Sequence, residues 1–358
     1  MISSLDDARR ALGVPGAPGP GVLIETSGTT GEPKRVRVSA GALRASADAS
    51  HARLGGPGQW LLALPTTYIA GANVLVRSAL AGTQPVVMPE GHFTAQGFAE
   101  SVDHMTGSRR YSALVPVQLA RLVEGAQYDD GVRASVASLD AILVGGQASA
   151  DQLLARARNL GWKIVVTYGS TETCGGVVYD GQPLDGSHVR IIAGEIWIGG
   201  PTLAVGYERA DGTLDEELTR ARFAELDGQR WYRTDDAGEF ETAGAFAGEL
   251  LRVTGRRDRV IISGGIKVSL VGIEDVVRAL TGVSDCSAAA MPDDEWGQRP
   301  VLGVECVPGA TVDRRVVETA IESALGRVSV PEAIVFGPLA RTANGKPDTR
   351  ALTASIRR

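Results

Sequence analysis

Short apolar runs without polar alternation, at Trp60 to Leu64, Val86 to Met88, Ala113 to Val115, Ala141 to Val144 and Ile164 to Val166, constrain the fold of this chain most. A strand with one wet face alternates apolar and polar residues, whereas an unbroken apolar run needs cover on both faces. Helix-like stretches separate the runs, so the sequence predicts an α/β domain with mostly parallel sheets. One such helix opens at Ser39, a capping hydroxyl, runs through Leu43, Ala47 and Leu54, and stops at Gly55-Gly56. From about Val189 to Val253 the strands become shorter and more alternating, which predicts a small antiparallel β subdomain. Beyond Asp258 the pattern is βαββαβ-like, with apolar runs at Val260 to Ile262, Ala288 to Met291, Val301 to Cys306 and Ile334 to Phe336. Helical patterns there occupy about Val271 to Ala279 and Asp313 to Leu325. At 358 residues the chain exceeds one ordinary core. The expected division is 1–257, a large N-terminal domain, and 258–358, a small α+β C-terminal domain on a hinge at Asp258. The Gly-, Pro- and Ala-rich residues before Gly21 read as a loosely docked lead-in with at most one short helix.

A net charge of −6 leaves no basic footprint for nucleic acid or an anionic membrane, so small soluble ligands are the expected partners. Cys174, Cys286 and Cys306 are odd in number and widely spaced, which suits thiols in a reducing compartment rather than a disulfide framework or a zinc site. His51, His92, His104 and His188 show no metal-ligand spacing and are expected at the surface or as caps. No basic-then-apolar leader and no long apolar window are present, and the expected location is the cytoplasm, without membrane insertion.

The segment Ser27-Gly28-Thr29-Thr30-Gly31-Glu32-Pro33-Lys34 combines three hydroxyls, two glycines and a cation. Glycines let backbone amides converge on an anion, hydroxyls add neutral donors, and Lys34 supplies charge for outer phosphates. Only two residues separate the glycines and Arg35 follows Lys34, so this is not a Walker loop. The competing reading is a plain Gly/Thr-rich turn between strand and helix.

Further segments follow in order: Tyr168-Gly169-Ser170-Thr171-Glu172, Gly194 to Gly200, Thr234-Asp235-Asp236-Ala237-Gly238, Gly255 to Asp258 with Ser263-Gly264-Gly265-Ile266-Lys267, and Asn344-Gly345-Lys346-Pro347-Asp348. Together they resemble the acyl-adenylating superfamily of acyl-CoA synthetases, luciferases and peptide-synthetase adenylation domains, over the whole chain. The block from Leu54 to Gly82 is similar to the o-succinylbenzoate-CoA ligases of menaquinone biosynthesis in their compact actinobacterial form. The resemblance implies a carboxylate attacking the α-phosphate of ATP, then CoA displacing AMP. It implies Lys346 as the lysine bridging acyl carboxylate and α-phosphate, Thr171 on the α-phosphate, and Glu172 as the Mg²⁺ carboxylate. It further implies Asp236 on the ribose hydroxyls, Arg256 on ribose and phosphate, and Gly145, Gly146, Gln147, Tyr168 and Gly169 around the adenine. Asp258 would be the hinge, with Gly264, Gly265 and Lys267 in the loop that admits CoA. Asp235 stands where the wider family often has glycine.

Arg77 is a lone cation amid Val74, Leu75, Val76, Ala79 and Leu80, a setting that demands a partner. That partner is either an anionic substrate, such as the ring carboxylate of o-succinylbenzoate, or an internal acid. Small residues Ala70, Gly71 and Ala72 would leave room for an aromatic ring, and Tyr68 replaces a histidine of many relatives. Only about twenty-five residues precede the phosphate loop, where most of the superfamily carries a long subdomain, so part of the acyl pocket or dimer face is expected to be missing or replaced. A homodimer is compatible with the pattern. The alternatives are an enzyme that loads a carrier protein, or another acid onto CoA, and a silent nucleotide-binding protein; the last is disfavoured by the presence of Lys346, Glu172 and Asp236.

Overall fold

The structure is a computed structural model that describes residues 2–13, 19–26, 34–242, 249–307, 309–342 and 346–356. The chain forms two compact units. The first comprises Met1–Ser149, Leu153–Thr234 and Glu239–Arg252; the second comprises Ala150–Gln152, Asp235–Gly238 and Val253–Arg358.

The first part of the chain runs α1 (Leu5–Leu12), β1 (Val22–Thr26), β2 (Lys34–Val38), α2 (Ala40–Arg53), β3 (Gln59–Leu62), α3 (Ile69–Ala81), β4 (Val86–Val87) and α4 (Ala95–Asp103). It continues with β5 (Arg110–Leu114), α5 (Pro116–Gly125), α6 (Asp130–Ala137), β6 (Ala141–Val144), α7 (Asp151–Asn159), β7 (Ile164–Ser170), β8 (Gly175–Tyr179) and β9 (Gln182–Pro183). These give a seven-stranded sheet in the order β4-β3-β5-β6-β7-β8-β9. The strands from β4 to β7 pair in parallel, whereas β8 and β9 add antiparallel. The runs of β3 and β6 are buried along their length because successive side chains enter opposite cores, whereas Val87 of the edge strand β4 is 61% exposed. Trp60, Leu62, Ala141 and Leu143 join the core under α2 and α3, while Leu61, Ile142 and Val144 join the one under α4 to α7. Helix α2 starts as its sequence predicts, with the Ser39 hydroxyl accepting from the Ala42 amide.

Then come β10 (His188–Ile192), β11 (Glu195–Gly199), β12 (Gly206–Glu208), α8 (Glu216–Arg222), β13 (Phe223–Leu226), β14 (Gln229–Thr242) and β15 (Glu249–Arg256). Strands β10-β11-β14-β13 form the antiparallel subdomain, with β15 beside β14. A separate antiparallel sheet, β1-β2-β12, carries Lys34 at one end of β2.

The lead-in departs from expectation. Helix α1 is capped by Ser4, whose hydroxyl accepts from the Asp7 amide, and ends at Gly13 in the left-handed region. Ile2, Ala8, Ala11 and Leu12 are buried in the same core as Ala72, Val74 and Leu75 of α3. Helix α1 and Ile2 before it are therefore part of the core and not loosely docked; the buried face of Ala8, Ala11 and Leu12 outweighs the Gly/Pro-rich composition around it.

The second unit contains β16 (Val260–Ser263), β17 (Ile266–Ser269), α9 (Leu270–Arg278), β18 (Val283–Asp293), β19 (Gly297–Cys306), α10 (Arg314–Leu325), β20 (Ala333–Phe336) and α11 (Thr349–Ile356). Its sheet order is β17-β16-β19-β18, with β20 parallel to β19. Strand β17 and helix α11 extend the expected βαββαβ-like pattern. Among the described residues no helix is long and apolar enough to cross a membrane.

Leu12 is 2 % exposed. Replacement of Leu12 by Ala is expected to cost about 2–4 kcal/mol in urea-unfolding measurements; a cost under about 0.5 kcal/mol would show that α1 is dispensable to the core.

Candidate functional site

The turn from β7 to β8 is built by close backbone approach. A Cβ on Gly169 would lie 2.1 Å from the Gly175 carbonyl oxygen, so only glycine fits where the β7–β8 register shifts. Within the turn the Thr173 hydroxyl accepts from the Ser170 amide at 2.9 Å and donates to the Gly175 carbonyl at 2.8 Å. The Cys174 carbonyl in turn accepts from Asn73 Nδ2 of α3 at 2.8 Å and Ser46 Oγ of α2 at 3.1 Å. The turn is thus tied to two helices, with Thr171 half-buried and Glu172 buried.

The Glu172 carbonyl accepts from the Ala204 amide at 2.8 Å, and its Oε1 accepts from the Tyr207 hydroxyl at 2.7 Å. Tyr207 comes from β12, where it sits opposite Val36 of β2. Lys34 Nζ lies 5.9 Å from the centroid of the same ring. Burial, followed by the charge of Glu172, pushes the Tyr207 pKa above its ordinary value, so the phenol stays a donor. Glu172 Oε2 has no hydrogen-bond partner among the described residues. Sequence reasoning missed Tyr207, because a lone aromatic in Gly206-Tyr207-Glu208 has no spacing relation to Glu172.

Gly145 and Gly146 follow β6, and Tyr168 and Gly169 close β7, so these residues occupy the carboxyl ends of adjacent parallel strands. Ligands of open α/β sheets gather at such ends. A Cβ on Gly145 would lie 2.3 Å from Thr167 Oγ1, and Gly146 has φ +81°. Gln147 and Tyr168 are half-buried.

Arg77 of α3 is 4 % exposed. Its guanidinium carbon lies 4.8 Å from the Trp60 ring centroid, and Nη2 donates to the Tyr179 hydroxyl at 3.4 Å. That hydroxyl shares a 2.9 Å hydrogen bond with Ser50 Oγ. Arg77 Nε is buried with no hydrogen-bond partner, and no carboxylate lies within ion-pair distance of Arg77 among the described residues. Tyr68 caps the start of α3 half-buried; Gly71 has a steric reason of its own, since a Cβ there would sit 2.3 Å from the Pro65 carbonyl oxygen.

His51 corrects the expectation that the histidines lie at the surface or cap helices. It is buried in α2 with Nε2 unpartnered, whereas His92 and His188 are exposed and His104 caps α4. Burial first, then the positive charge of Arg77, lowers its pKa from 6.5 to about 4, with Asp48 opposing. Helix α2 shows the residue as one of its small-residue core face, which a count of isolated histidines does not reveal.

In the second unit Asp236 and Arg256 form an ion pair at 3.6 Å. Asp235 has φ +61°, which accounts for the glycine common at this position: the backbone is left-handed, and aspartate is among the few other residues that tolerate it. The Lys346 carbonyl accepts from the Thr342 amide at 2.8 Å. Burial lowers the pKa of the Lys346 ammonium, Arg256 lowers it further and Asp236 opposes them. Lys346 is exposed as a residue, so water screens these effects. Gly264 and Gly265, at φ +55° and +81°, form the two-residue turn joining β16 to β17, with Lys267 exposed beyond it. A Cβ on Gly264 would meet the Trp296 ring at 2.6 Å. Ser27, Gly28, Thr29, Thr30 and Gly31 lie outside the described residues, as does the side chain of Asp258.

Among known families, the AMP-binding enzyme model matches residues 17–208, and the AMP-binding enzyme C-terminal domain matches 272–346. A probable 2-succinylbenzoate–CoA ligase of Mycobacterium tuberculosis is 38% identical over 337 residues, covering 92% of this chain and 83% of its own length. Of solved structures, the o-succinylbenzoate CoA synthetase of Bacillus subtilis with its acyl-adenylate intermediate superposes with TM-score 0.74 at 25% identity, covering 92% of this chain and 68% of that one. The same enzyme in complex with ATP and magnesium ion gives TM-score 0.74 at 25% identity over 92% of this chain and 69% of that one.

Two outcomes are expected. Because His51 is neutral when folded and protonated when unfolded between pH 6.5 and 4, its contribution to stability should fall by about 3 kcal/mol as pH drops through that window. His51→Gln should flatten this slope in acid-denaturation curves; an unchanged slope would refute the assignment. For the left-handed position, Asp235→Gly should be near neutral and Asp235→Ala should cost about 1 kcal/mol by thermal unfolding.

Proposed function

This chain belongs to the AMP-binding enzyme family, and from that premise we propose that it is an ATP-dependent acid-CoA ligase converting o-succinylbenzoate to o-succinylbenzoyl-CoA. A carboxylate oxygen attacks the α-phosphorus, the bond to pyrophosphate breaks, and acyl-AMP forms. The thiol of CoA then attacks the acyl carbon, loses its proton and expels AMP. The first step brings an anion to a polyanion, so fixed donors and cations lower its barrier and no protein nucleophile is required. In this reading Lys346 bridges the acyl carboxylate and the α-phosphate, and Thr171 donates to the α-phosphate. The loop from Ser27 to Lys34 holds the outer phosphates. Tyr168 stacks on an adenine lined by Gly145, Gly146, Gln147 and Gly169, Asp236 accepts from both ribose hydroxyls, and Arg256 contacts ribose and phosphate. Asp258 serves as the pivot, and the Gly264-Gly265 turn with Lys267 admits the thin pantetheine arm.

Glu172 fits magnesium: it is a buried carboxylate with one oxygen held and the other without a partner among the described residues, and a single carboxylate plus phosphates and waters is a usual magnesium shell. Bound there, the ion would supply positive charge to the triphosphate. The free thiols of Cys174, Cys286 and Cys306 accord with the cytoplasm.

The observation that carries the acid assignment is Arg77, a buried guanidinium without an internal carboxylate among the described residues, against Trp60 and Tyr179. Burial of an unpaired charge is costly, so an anionic ligand is the natural partner. o-Succinylbenzoate offers its ring carboxylate, with Tyr68 and Gly71 at the start of the same helix. Pyrophosphate release with ATP, magnesium and o-succinylbenzoate, followed by a CoA-dependent thioester, is the expected result. Arg77→Ala should lower kcat/KM for o-succinylbenzoate about a hundredfold while changing little for the analogue lacking the ring carboxylate. Equal losses for both acids would reject Arg77 as the carboxylate partner, and release with another acid only would reject the substrate.

A further inference from the structure

We propose that Tyr207 is the positioning residue of the magnesium carboxylate, fixing which oxygen of Glu172 is offered to the ion. The inference rests on reading Glu172 as that carboxylate. A glutamate has three rotatable side-chain bonds, so the address of its oxygens is set by whatever holds them. Here the main chain of Glu172 is fixed by the Ala204 amide at 2.8 Å and the side chain by the Tyr207 hydroxyl at 2.7 Å. Both donors come from one short stretch, 204–207, so backbone and carboxylate are registered against the same piece of chain.

That stretch is itself fixed. The Tyr207 amide donates to Thr219 Oγ1 of α8 at 3.0 Å, and β12 pairs with β2 through Tyr207 opposite Val36 and Glu208 opposite Arg35. Tyr207 is 2 % exposed, and its ring meets Phe223 at a 6.2 Å centroid distance. The ring also lies 5.9 Å from Lys34 Nζ, the cation that ends the phosphate loop. One rigid aromatic thus touches the two charged residues expected to meet the triphosphate. Its hydroxyl is a neutral donor that occupies Oε1 and leaves both the charge of Glu172 and its Oε2 available. Outer partners of this kind set the orientation and basicity of the groups that hold a metal.

The test compares wild type, Tyr207→Phe, Glu172→Gln, the double variant and Thr219→Val. For each, the magnesium concentration giving half-maximal ATP binding is measured by calorimetry, beside the thermal midpoint and the kinetics of pyrophosphate release. Tyr207→Phe is expected to raise the half-saturating magnesium concentration about tenfold or more, with kcat largely recovered at saturating magnesium. In the double variant the shift should not exceed that of Glu172→Gln, since both changes act on one carboxylate. Thr219→Val removes the partner of the Tyr207 amide but leaves the Tyr207 hydroxyl for Glu172, so it should lower the thermal midpoint and shift the magnesium dependence by less than Tyr207→Phe does. If Tyr207→Phe does not fold, 3-fluorotyrosine at position 207, nearly the same size with a stronger donor, must move the half-saturation. For Tyr207→Phe, a lower thermal midpoint with unchanged magnesium dependence, or additive shifts in the double variant, would overturn the proposal alone. Magnesium-independent ATP binding by wild type would overturn the reading of Glu172 and the proposal with it.

Discussion

The approach of two backbones at Gly169 and Gly175 is the contact on which the site depends. With 2.1 Å between a Cβ on Gly169 and the Gly175 carbonyl, β7 and β8 lie closer than any side chain permits. The parallel sheet reverses there to antiparallel pairing through four residues, 171–174, and the reversal drives Glu172 inward, away from water. Such a turn would leave buried backbone groups unpaired unless side chains met them. Thr173 serves its interior, and Ser46 and Asn73 converge on the Cys174 carbonyl. Helices α2 and α3 are thereby locked to the turn, and Arg77, one turn along α3 from Asn73, is fixed with it.

Glu274, a buried charge of the second unit, is handled in the opposite way to Glu172 and Arg77. In the second unit Glu274 receives a two-pronged contact from Arg259 at 2.8 and 3.0 Å, a third from Arg278 at 3.2 Å and the Ala288 amide at 2.7 Å. Both of its oxygens are saturated, and such a network holds strand, helix and strand together. Glu172 and Arg77 in the first unit have no opposite charge at ion-pair distance among the described residues. Leaving them so costs folding free energy, and the cost has a rationale if ligands complete the neutralisation. Saturation against incompleteness thus separates a structural charge from one held ready for a ligand, without reference to motifs.

Much of the fold was legible because its signals are local. Unalternating runs marked β3, β5, β6 and β7, and a single hydroxyl marked the start of α2. Motif order marked Gly145, Tyr168, Glu172, Asp236 and Lys346 as candidates, and Asp235 was visible as an oddity before its φ of +61° explained it. What escaped has its cause elsewhere in the chain. Helix α1 looked loose because composition averages over Gly and Pro, whereas Ile2, Ala8, Ala11 and Leu12 find their partners on α3, some sixty residues away. Strand β17 is only four residues long and follows a glycine turn, so its alternation is too short to register. Tyr207 and Tyr179 lie 35 and 102 residues from the charges they touch, and no spacing rule connects such pairs.

Glu172 and Arg77, unpaired among the described residues, are steadied by neutral groups, and the chemistry favours that choice. A lysine or arginine in place of Tyr207 would hold Glu172 more strongly, but it would cancel the charge a cation needs and compete for both oxygens. An aspartate beside Arg77 would likewise neutralise the guanidinium and repel an incoming carboxylate. A phenol avoids both outcomes: its hydroxyl fixes one atom of the partner, its ring fills the core, and its own net charge is zero. Trp60 adds to this at Arg77, because an aromatic face attracts a cation without occupying its N–H donors. The aromatic residues beside these two charges are thus the means by which a folded core keeps an acid and a base oriented, dry and still unsatisfied.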